Sequence, residues 1–152
     1  MLHLNLMPRN IWKNENWEKE KFNFERKTQM REIKTNSVPS AIGPYSQAVV
    51  TNNMVFTSGQ IPVDPLTGEI PDKIEKQANQ VFMNLKNLLE SAGTSINKVV
   101  KTTVFIKKME DFPVINKIYE TYFAQPYPAR SCVEVSRLPK DVLIEVEAIA
   151  EI

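Results

Sequence analysis

The order of apolar and polar residues along the chain predicts two amphipathic helices. Seven apolar residues that begin at Ile74 recur at helical spacing, and they form one stripe on a helix that Gly93 would end. A second stripe of the same spacing runs from Phe112 to Tyr122, and Asp111 stands directly before it as a favourable capping residue. Each stripe needs an apolar surface to pack against.

Runs of β-branched and aromatic residues predict strands that would supply this surface. The predicted strands are Ala48–Thr51, Met54–Ser58, Val99–Ile106, Arg130–Ser136 and Val142–Ala150. Asn52 and Asn53 separate the first two, and because asparagine tolerates positive φ, a two-residue hairpin turn fits there. The order β-β-α-β-α-β-β is typical of an α+β domain, with both helices on one face of a four- to six-stranded mixed sheet.

Alternation along the last two strands assigns their residues to two faces of the sheet. The face expected to meet the helices carries Val142, Ile144, Val146, Ala148 and Ala150. The opposite face carries Leu143, Glu145, Glu147 and Ile149, and on the neighbouring strand Arg130, Cys132 and Glu134 share a face. We expect the face that the helices leave uncovered to mix charge with Leu, Ile and Cys. A small sheet rarely leaves such a surface bare, so we expect an oligomer.

Composition limits the class of protein. The 152 residues have room for one core and one domain, and no apolar run approaches the ~18 residues that span a bilayer. Residues 1–29 hold six Lys and Arg against four Glu, which leaves 13 against 14 for the remainder of the chain. A main body with a charge of −1 argues against an electrostatic nucleic-acid binder.

Cysteine and histidine usage bears on the chemistry and the compartment. Cys132 is the only cysteine, so an intrachain disulfide is impossible and we expect a reducing compartment, the cytoplasm. The only histidine, His3, lies far away in the sequence. We therefore expect neither a Cys–His nucleophile pair nor a zinc site.

Residues 1–30 differ from the remainder of the chain in composition and in residue pattern. They are rich in Asn, Lys and Glu, contain no glycine, and place their aromatic residues at no sustained period. The segment lacks the continuous apolar core of a signal peptide, and its four glutamates weigh against a mitochondrial presequence. We expect a poorly ordered extension before a domain at 31–152, and a targeting role for the extension stays open.

Arg130 raises the question of an anionic partner. Within the stretch YPARSCVEV it stands at the head of a run that otherwise has the character of a buried β-strand. A buried charge without a partner is very costly, so the guanidinium requires an anion. From the residues alone, that anion is either a carboxylate of the protein or one that a ligand brings.

Four stretches of the chain resemble the RidA family of reactive-intermediate deaminases, also called the YjgF-type or endoribonuclease L-PSP family. They are AIGPYSQAV, FTSGQIPVDPLTGEI, VVKTTVFIKKMEDFPVINKIYETYF and PARSCVEVSRLPKDVLIEVEAIA, and the resemblance covers about residues 31–152. It implies a chorismate-mutase-like α+β fold and a homotrimer whose sheets line a central barrel. It also implies three sites between subunits and no cofactor.

The resemblance implies hydrolysis of enamine and imine intermediates, namely 2-aminoacrylate, 2-iminopropanoate and 2-iminobutanoate. The products would be 2-keto acids and ammonia, and the reaction would protect pyridoxal-phosphate enzymes from damage. In this family pattern Arg130 holds the substrate carboxylate and Glu145 positions water and moves protons. The other implied substrate-binding residues are Tyr45, Ser58, Asn116 and Cys132. Gly43 and Gly59 are interpreted as residues that shape the backbone, since no glycine-rich loop precedes a helix.

Alternatives remain open both for the roles of single residues and for the function of the protein. Arg130 could pair with a glutamate of the protein, and Glu145 and Glu147 could both bridge subunits. Tyr45 could be a packed turn residue, and Ser58 could serve a turn. The alternative functions are an endoribonuclease or translation inhibitor, and a non-enzymatic trimer that binds metabolites or acts like a chaperone.

Overall fold

The computed structural model of the protein describes residues 30–152, of which Arg31–Ile152 form one compact unit. The extension predicted for residues 1–30 lies, Met30 excepted, outside the described residues. The strands are β1 (Arg31–Ile33), β2 (Ala48–Thr51), β3 (Met54–Thr57), β4 (Val99–Ile106), β5 (Ala129–Glu134) and β6 (Ile144–Glu151). The helices are α1 (Ile74–Ala92) and α2 (Phe112–Tyr122).

The six strands form one mixed sheet in the order β1-β2-β3-β6-β4-β5. The β4–β5 pair is parallel, and the other pairs are antiparallel. Both helices pack on one face of this sheet, which confirms the predicted α+β class. The sequence pattern did not reveal β1, because a strand of three residues with only Ile33 buried is too short to show an alternation.

Local signals set several element boundaries as predicted. Asn52 and Asn53 adopt φ of 48° and 64°, which is the backbone of a tight hairpin turn with positive φ at both central residues. Gly93 ends α1 in the left-handed region, with φ of 91°. Asp111 occupies the capping position of α2 as predicted, but its side chain makes no capping bond. It has helical backbone angles at the end of the short turn Met109–Asp111, whereas a capping residue normally has an extended backbone.

The core lies between the sheet and the two helices. The predicted inner face of the last strand is confirmed, since Val142, Ile144, Val146, Ala148 and Ala150 are all buried. An aromatic cluster forms part of this core, and it consists of Phe82, Tyr119, Tyr122 and Phe123. These rings join α1 to α2, so they fix the helix that flanks strand β5.

The face assigned to β5 has to be corrected. Arg130 lies in register with Thr102, which is buried on the helix side, and Cys132 follows on the same side next to the core. Cys132 therefore does not belong to the uncovered face. Alternation tells which residues share a face, but the pairing of β5 with β4 decides which face the helices cover.

The uncovered face carries Glu145, Glu147 and the residues in register with them. Phe105 pairs with Glu145 on one side and with Val133 on the other, so all three share this face. Phe56 belongs to the same face through its pairing with Ile149. Phe56 and Val133 remain 39% and 43% exposed, so the surface is partly apolar and partly charged.

Two further findings concern the described part of the chain. Within residues 30–152, neither helix has the length and hydropathy required of a membrane span. The same residues contain no cluster of His, Cys, Asp and Glu that could hold a metal ion.

Candidate functional site

The guanidinium of Arg130 rests against two aromatic rings of α2. Its central carbon, Cζ, lies 4.6 Å from the centroid of the Tyr119 ring and 5.3 Å from that of Phe112. Such contacts attract a cation without neutralising it. Among residues 30–152 the ion pairs are Lys86–Glu90 and Arg137–Asp141, so Arg130 has no carboxylate partner within that range.

A cleft of about 360 Å³ opens beside Arg130. Its lining residues are Asn116, Tyr119, Glu120, Tyr127, Pro128 and Arg130. The Oδ1 atom of Asn116 is buried and has no hydrogen-bond partner in the described structure. An unsatisfied buried acceptor is costly, so this atom calls for a donor from a ligand or another chain.

Cys132 lies two residues after Arg130 on the same face of β5. Burial raises the pKa of its thiol, and the positive charge of Arg130 opposes this rise less strongly. The thiol is therefore held in its protonated form at neutral pH. A protonated, half-buried thiol suits the wall of a pocket better than a nucleophile.

Glu145 lies on the opposite face of the sheet, directly over Gly59. A Cβ atom built on Gly59 would lie 1.8 Å from Oε1 of Glu145, so the missing side chain makes room for the carboxyl group. Gln60 fixes this approach, because its backbone exchanges hydrogen bonds of 2.8 and 3.0 Å with Val146. Gly59 thus shapes the surroundings of a carboxyl group, in agreement with its interpretation from the sequence.

The surroundings of Glu145 change its acidity. Burial is the larger of two causes that raise the pKa of its carboxyl group, and the nearby negative charge of Glu147 is the second. Both disfavour the ionised form. Glu145 therefore keeps its proton to a higher pH than a free glutamate does, which suits a group that takes up and returns protons near neutrality.

Tyr45 and Ser58 lie near Gly59 as well. The hydroxyl of Ser58 donates a 2.6 Å hydrogen bond to the carbonyl oxygen of Ser46, which leaves its lone pairs free to accept. Tyr45 is 47% exposed, and it lines a small pocket together with Gly59. The backbone N–H of Ile42 donates to the Tyr45 hydroxyl at 3.4 Å.

The structure therefore divides the residues predicted for the site into two clusters. The first, which we call the anion cluster, contains Arg130, Asn116 and Cys132 on the helix side of the sheet. The second, which we call the carboxyl cluster, contains Glu145, Ser58 and Tyr45 around Gly59. The first can hold an anion and the second can handle protons, but within one chain the sheet separates them.

The sequence pattern did not single out Tyr119 and Tyr127, which line the same cleft as Arg130 and Asn116. It assigned Tyr119 to the apolar stripe of the second helix, and the ring is indeed buried. A signal was present in the position of Asn116, a polar residue three before Tyr119 and four after Phe112 on the same side of the helix. A polar residue inside an apolar stripe is typical of a site that the stripe borders.

Comparison with known proteins places the chain in a family. The family model described as Endoribonuclease L-PSP matches residues 35–152. The 2-iminobutanoate/2-iminopropanoate deaminase of Escherichia coli (strain K12) is 54% identical over 121 residues, which are 78% of this chain and 94% of that protein.

Solved structures agree with this assignment. RidA from the Antarctic bacterium Psychrobacter sp. PAMC 21119 superposes with a TM-score of 0.78 at 43% identity, over 80% of this chain and 99% of that chain. Escherichia coli TdcF, solved with bound serine, gives a TM-score of 0.77 at 48% identity, over 80% of this chain and 98% of that chain. The chain therefore belongs to the RidA family, whose model is described as Endoribonuclease L-PSP, as the resemblance of its sequence stretches predicted.

Proposed function

We propose that the protein hydrolyses 2-imino acids to 2-keto acids and ammonia. The observation that carries the proposal is the Arg130 guanidinium, which lines a cleft and has no carboxylate partner among residues 30–152. The name of the Escherichia coli relative, a 2-iminobutanoate/2-iminopropanoate deaminase, supports this choice of substrate. The imines would come from enamines such as 2-aminoacrylate, and their removal would protect pyridoxal-phosphate enzymes.

Arg130 would bind the carboxylate of the substrate. Its planar guanidinium can donate two parallel hydrogen bonds to one carboxylate, which fixes both the position and the orientation of the attached carbon. The serine bound to Escherichia coli TdcF also carries a carboxylate on a small carbon skeleton. Asn116, whose Oδ1 is unsatisfied in the same cleft, would accept a hydrogen bond from the substrate.

Glu145 would carry the proton transfers of the hydrolysis. The ionised carboxyl group accepts a proton from water while the water oxygen bonds to the C=N carbon, and it then passes this proton to the nitrogen. The resulting tetrahedral intermediate holds a hydroxyl and an amino group on one carbon. The carboxyl group, again ionised, then accepts the proton of the hydroxyl group and donates it to the amino group, so that the C–N bond breaks, the C=O bond of the 2-keto acid forms and ammonia leaves. The raised pKa of Glu145 makes its carboxylate a stronger base for both of these proton uptakes.

The reaction would take place between subunits. Arg130 and Glu145 lie on opposite faces of one sheet, so a site that uses both must join the anion cluster of one copy to the carboxyl cluster of its neighbour. We propose a homotrimer in which the uncovered sheet faces line a central barrel. The half-exposed Phe56 and Val133 support this arrangement, because association would remove their apolar surface from water. The hydrolysis described here requires no cofactor.

A coupled assay tests the proposal. A threonine dehydratase generates 2-aminocrotonate and 2-iminobutanoate, and the release of 2-ketobutyrate is followed with and without this protein. We expect the wild type to accelerate release above the spontaneous rate and Arg130→Ala to return it to that rate. Equal rates for the two proteins would refute the deaminase function.

The description of the family model gives a second candidate function, the cleavage of RNA. The charge of −1 on residues 30–152 offers no excess of cations to bind a phosphate backbone. The two functions are separated by assaying RNA cleavage with the same variants. Cleavage that survives Arg130→Ala, together with the absence of imine hydrolysis, would favour the ribonuclease.

A further inference from the structure

We infer that Tyr119 is the positioning residue of Arg130, and that it holds the guanidinium ready for a carboxylate without neutralising it. The inference rests on the proposed function, because it concerns how the anion cluster binds its ligand. It assigns to Tyr119 a role beyond its place in the core.

A strand register, a hydrogen bond and a cation–π contact together link Tyr119 to Arg130. Arg130 lies in register with Thr102 across the parallel β4–β5 pair. The hydroxyl groups of Thr102 and Tyr119 share a buried hydrogen bond of 2.9 Å. The Tyr119 ring in turn lies under the guanidinium, with its centroid 4.6 Å from Cζ of Arg130. The strand that carries Arg130 and the ring that holds its head group are thus fixed to the same threonine.

The Tyr119 ring has little freedom to move. It is 4% exposed and stacks on Phe123 with centroids 4.2 Å apart and an angle of 28° between the planes. Phe82 packs against it edge to face at 5.6 Å. A ring that is held on several sides keeps its face toward the cleft, so the guanidinium has a fixed support.

This support differs in kind from a salt bridge. A carboxylate partner would fix Arg130 by occupying the N–H groups that a ligand needs. An aromatic face attracts the delocalised cation from one side and leaves the N–H groups at the edge of its plane available. A flexible side chain that is already placed loses less freedom when the ligand binds, so the affinity for the ligand rises.

Calorimetric binding of 2-ketobutyrate to the full chain tests the inference. We expect Tyr119→Leu to raise the dissociation constant about five- to thirty-fold, the range that corresponds to losing one partly desolvated cation–π contact. The matched control is Tyr122→Leu, the same substitution three residues further along α2, because Tyr122 packs on Phe82 and is not among the rings that contact Arg130 or Tyr119. Both variants should unfold at a lower temperature, but only Tyr119→Leu should bind 2-ketobutyrate more weakly.

A double-mutant cycle separates positioning from a general loss of structure. In the Arg130→Ala background, Tyr119→Leu should cause no further weakening, because its effect passes through the guanidinium. Equal dissociation constants for Tyr119→Leu and Tyr122→Leu, or effects of Tyr119→Leu and Arg130→Ala that add fully, would overturn the inference alone. Unchanged binding by Arg130→Ala would instead overturn the proposed function.

A second variant covers the case in which Tyr119→Leu does not fold. Thr102→Val keeps the ring and removes only the hydroxyl group that orients it. We expect the dissociation constant for 2-ketobutyrate to rise about three- to five-fold, the effect of one lost hydrogen bond. An unchanged constant in a folded Thr102→Val protein would contradict the inference.

Discussion

Arg130 and Glu145 lie on opposite faces of the same sheet, and strand β4 separates the two strands that carry them. Arg130 is in register with Thr102, which is buried beneath the helices, whereas Glu145 is in register with Phe105 on the uncovered face. Residues in register on neighbouring strands share a face. A ligand held by Arg130 is therefore on the wrong side of the sheet for Glu145 of the same copy, and the proposed reaction requires two copies.

Both the planar pair of donors and the positive charge of Arg130 should contribute to the activity. Arg130→Lys keeps a cation but loses the planar pair of donors, so we expect kcat/KM for 2-iminobutanoate to fall about tenfold. Arg130→Ala loses both, and we expect a fall of about 10²- to 10³-fold. Steady-state kinetics in the coupled dehydratase assay measures both values. Full activity in Arg130→Lys would show that a point charge suffices and would contradict the bidentate clamp.

Glu145 should set the acidic limb of the pH profile. Its pKa lies above the ordinary value of 4.5, so the ionised base forms only as the pH rises through this higher value. We expect kcat/KM to increase with pH through a limb above that of a free glutamate. Glu145→Gln should lower kcat about 10²- to 10⁴-fold and remove the limb. A profile that keeps the same limb in Glu145→Gln would assign it to another group.

Glu147→Gln is the companion variant for the pH profile. The negative charge of Glu147 contributes to the raised pKa of Glu145, so its removal should move the acidic limb toward lower pH. The activity on the plateau should persist, because burial, the larger cause, remains in place. A limb that shifts upward instead would mean that Glu147 stabilises the ionised form of Glu145.

Gly59 should be required for activity more than for stability. In Gly59→Ala the new Cβ would lie 1.8 Å from Oε1 of Glu145, so the carboxyl group has to move. Since that atom is the end of a flexible side chain, the fold should tolerate the change while imine hydrolysis falls at least about tenfold. Gly43→Ala is the matched control, because its Cβ would meet only the Tyr45 ring at an ordinary 3.5 Å. Thermal unfolding and turnover are measured together, and a Gly59→Ala protein with full turnover would contradict the proposed placement of the carboxyl group.

Much of the fold could be predicted because its signals are local. Strand Val99–Ile106 contains mostly β-branched residues and has the predicted bounds, and helix Ile74–Ala92 ends where Gly93 adopts positive φ. The turn at Asn52 and Asn53 likewise depends on the residues within it. The short strand Arg31–Ile33 exists because it pairs with β2, and no pattern within three residues could reveal it.

The arrangement of the site depends on long-range pairing and was predicted less well. The resemblance to a known family identified Arg130 and Glu145 as site residues. The alternation of apolar and polar residues could not place these two on opposite faces of the sheet. That placement follows from the register of β4 with its two neighbours. The support of Arg130 by Tyr119 was missed for a similar reason, because an aromatic residue in a helical stripe has the pattern of an ordinary core residue.

Subunit complementation tests the central claim most directly. Arg130→Ala and Glu145→Gln chains are co-expressed with different affinity tags, and oligomers that carry both tags are purified. If each site joins Arg130 of one copy to Glu145 of its neighbour in a closed trimer, every mixed trimer regains one intact site, or about one third of the wild-type activity. Mixed oligomers that are no more active than either parent variant would contradict a site shared between subunits.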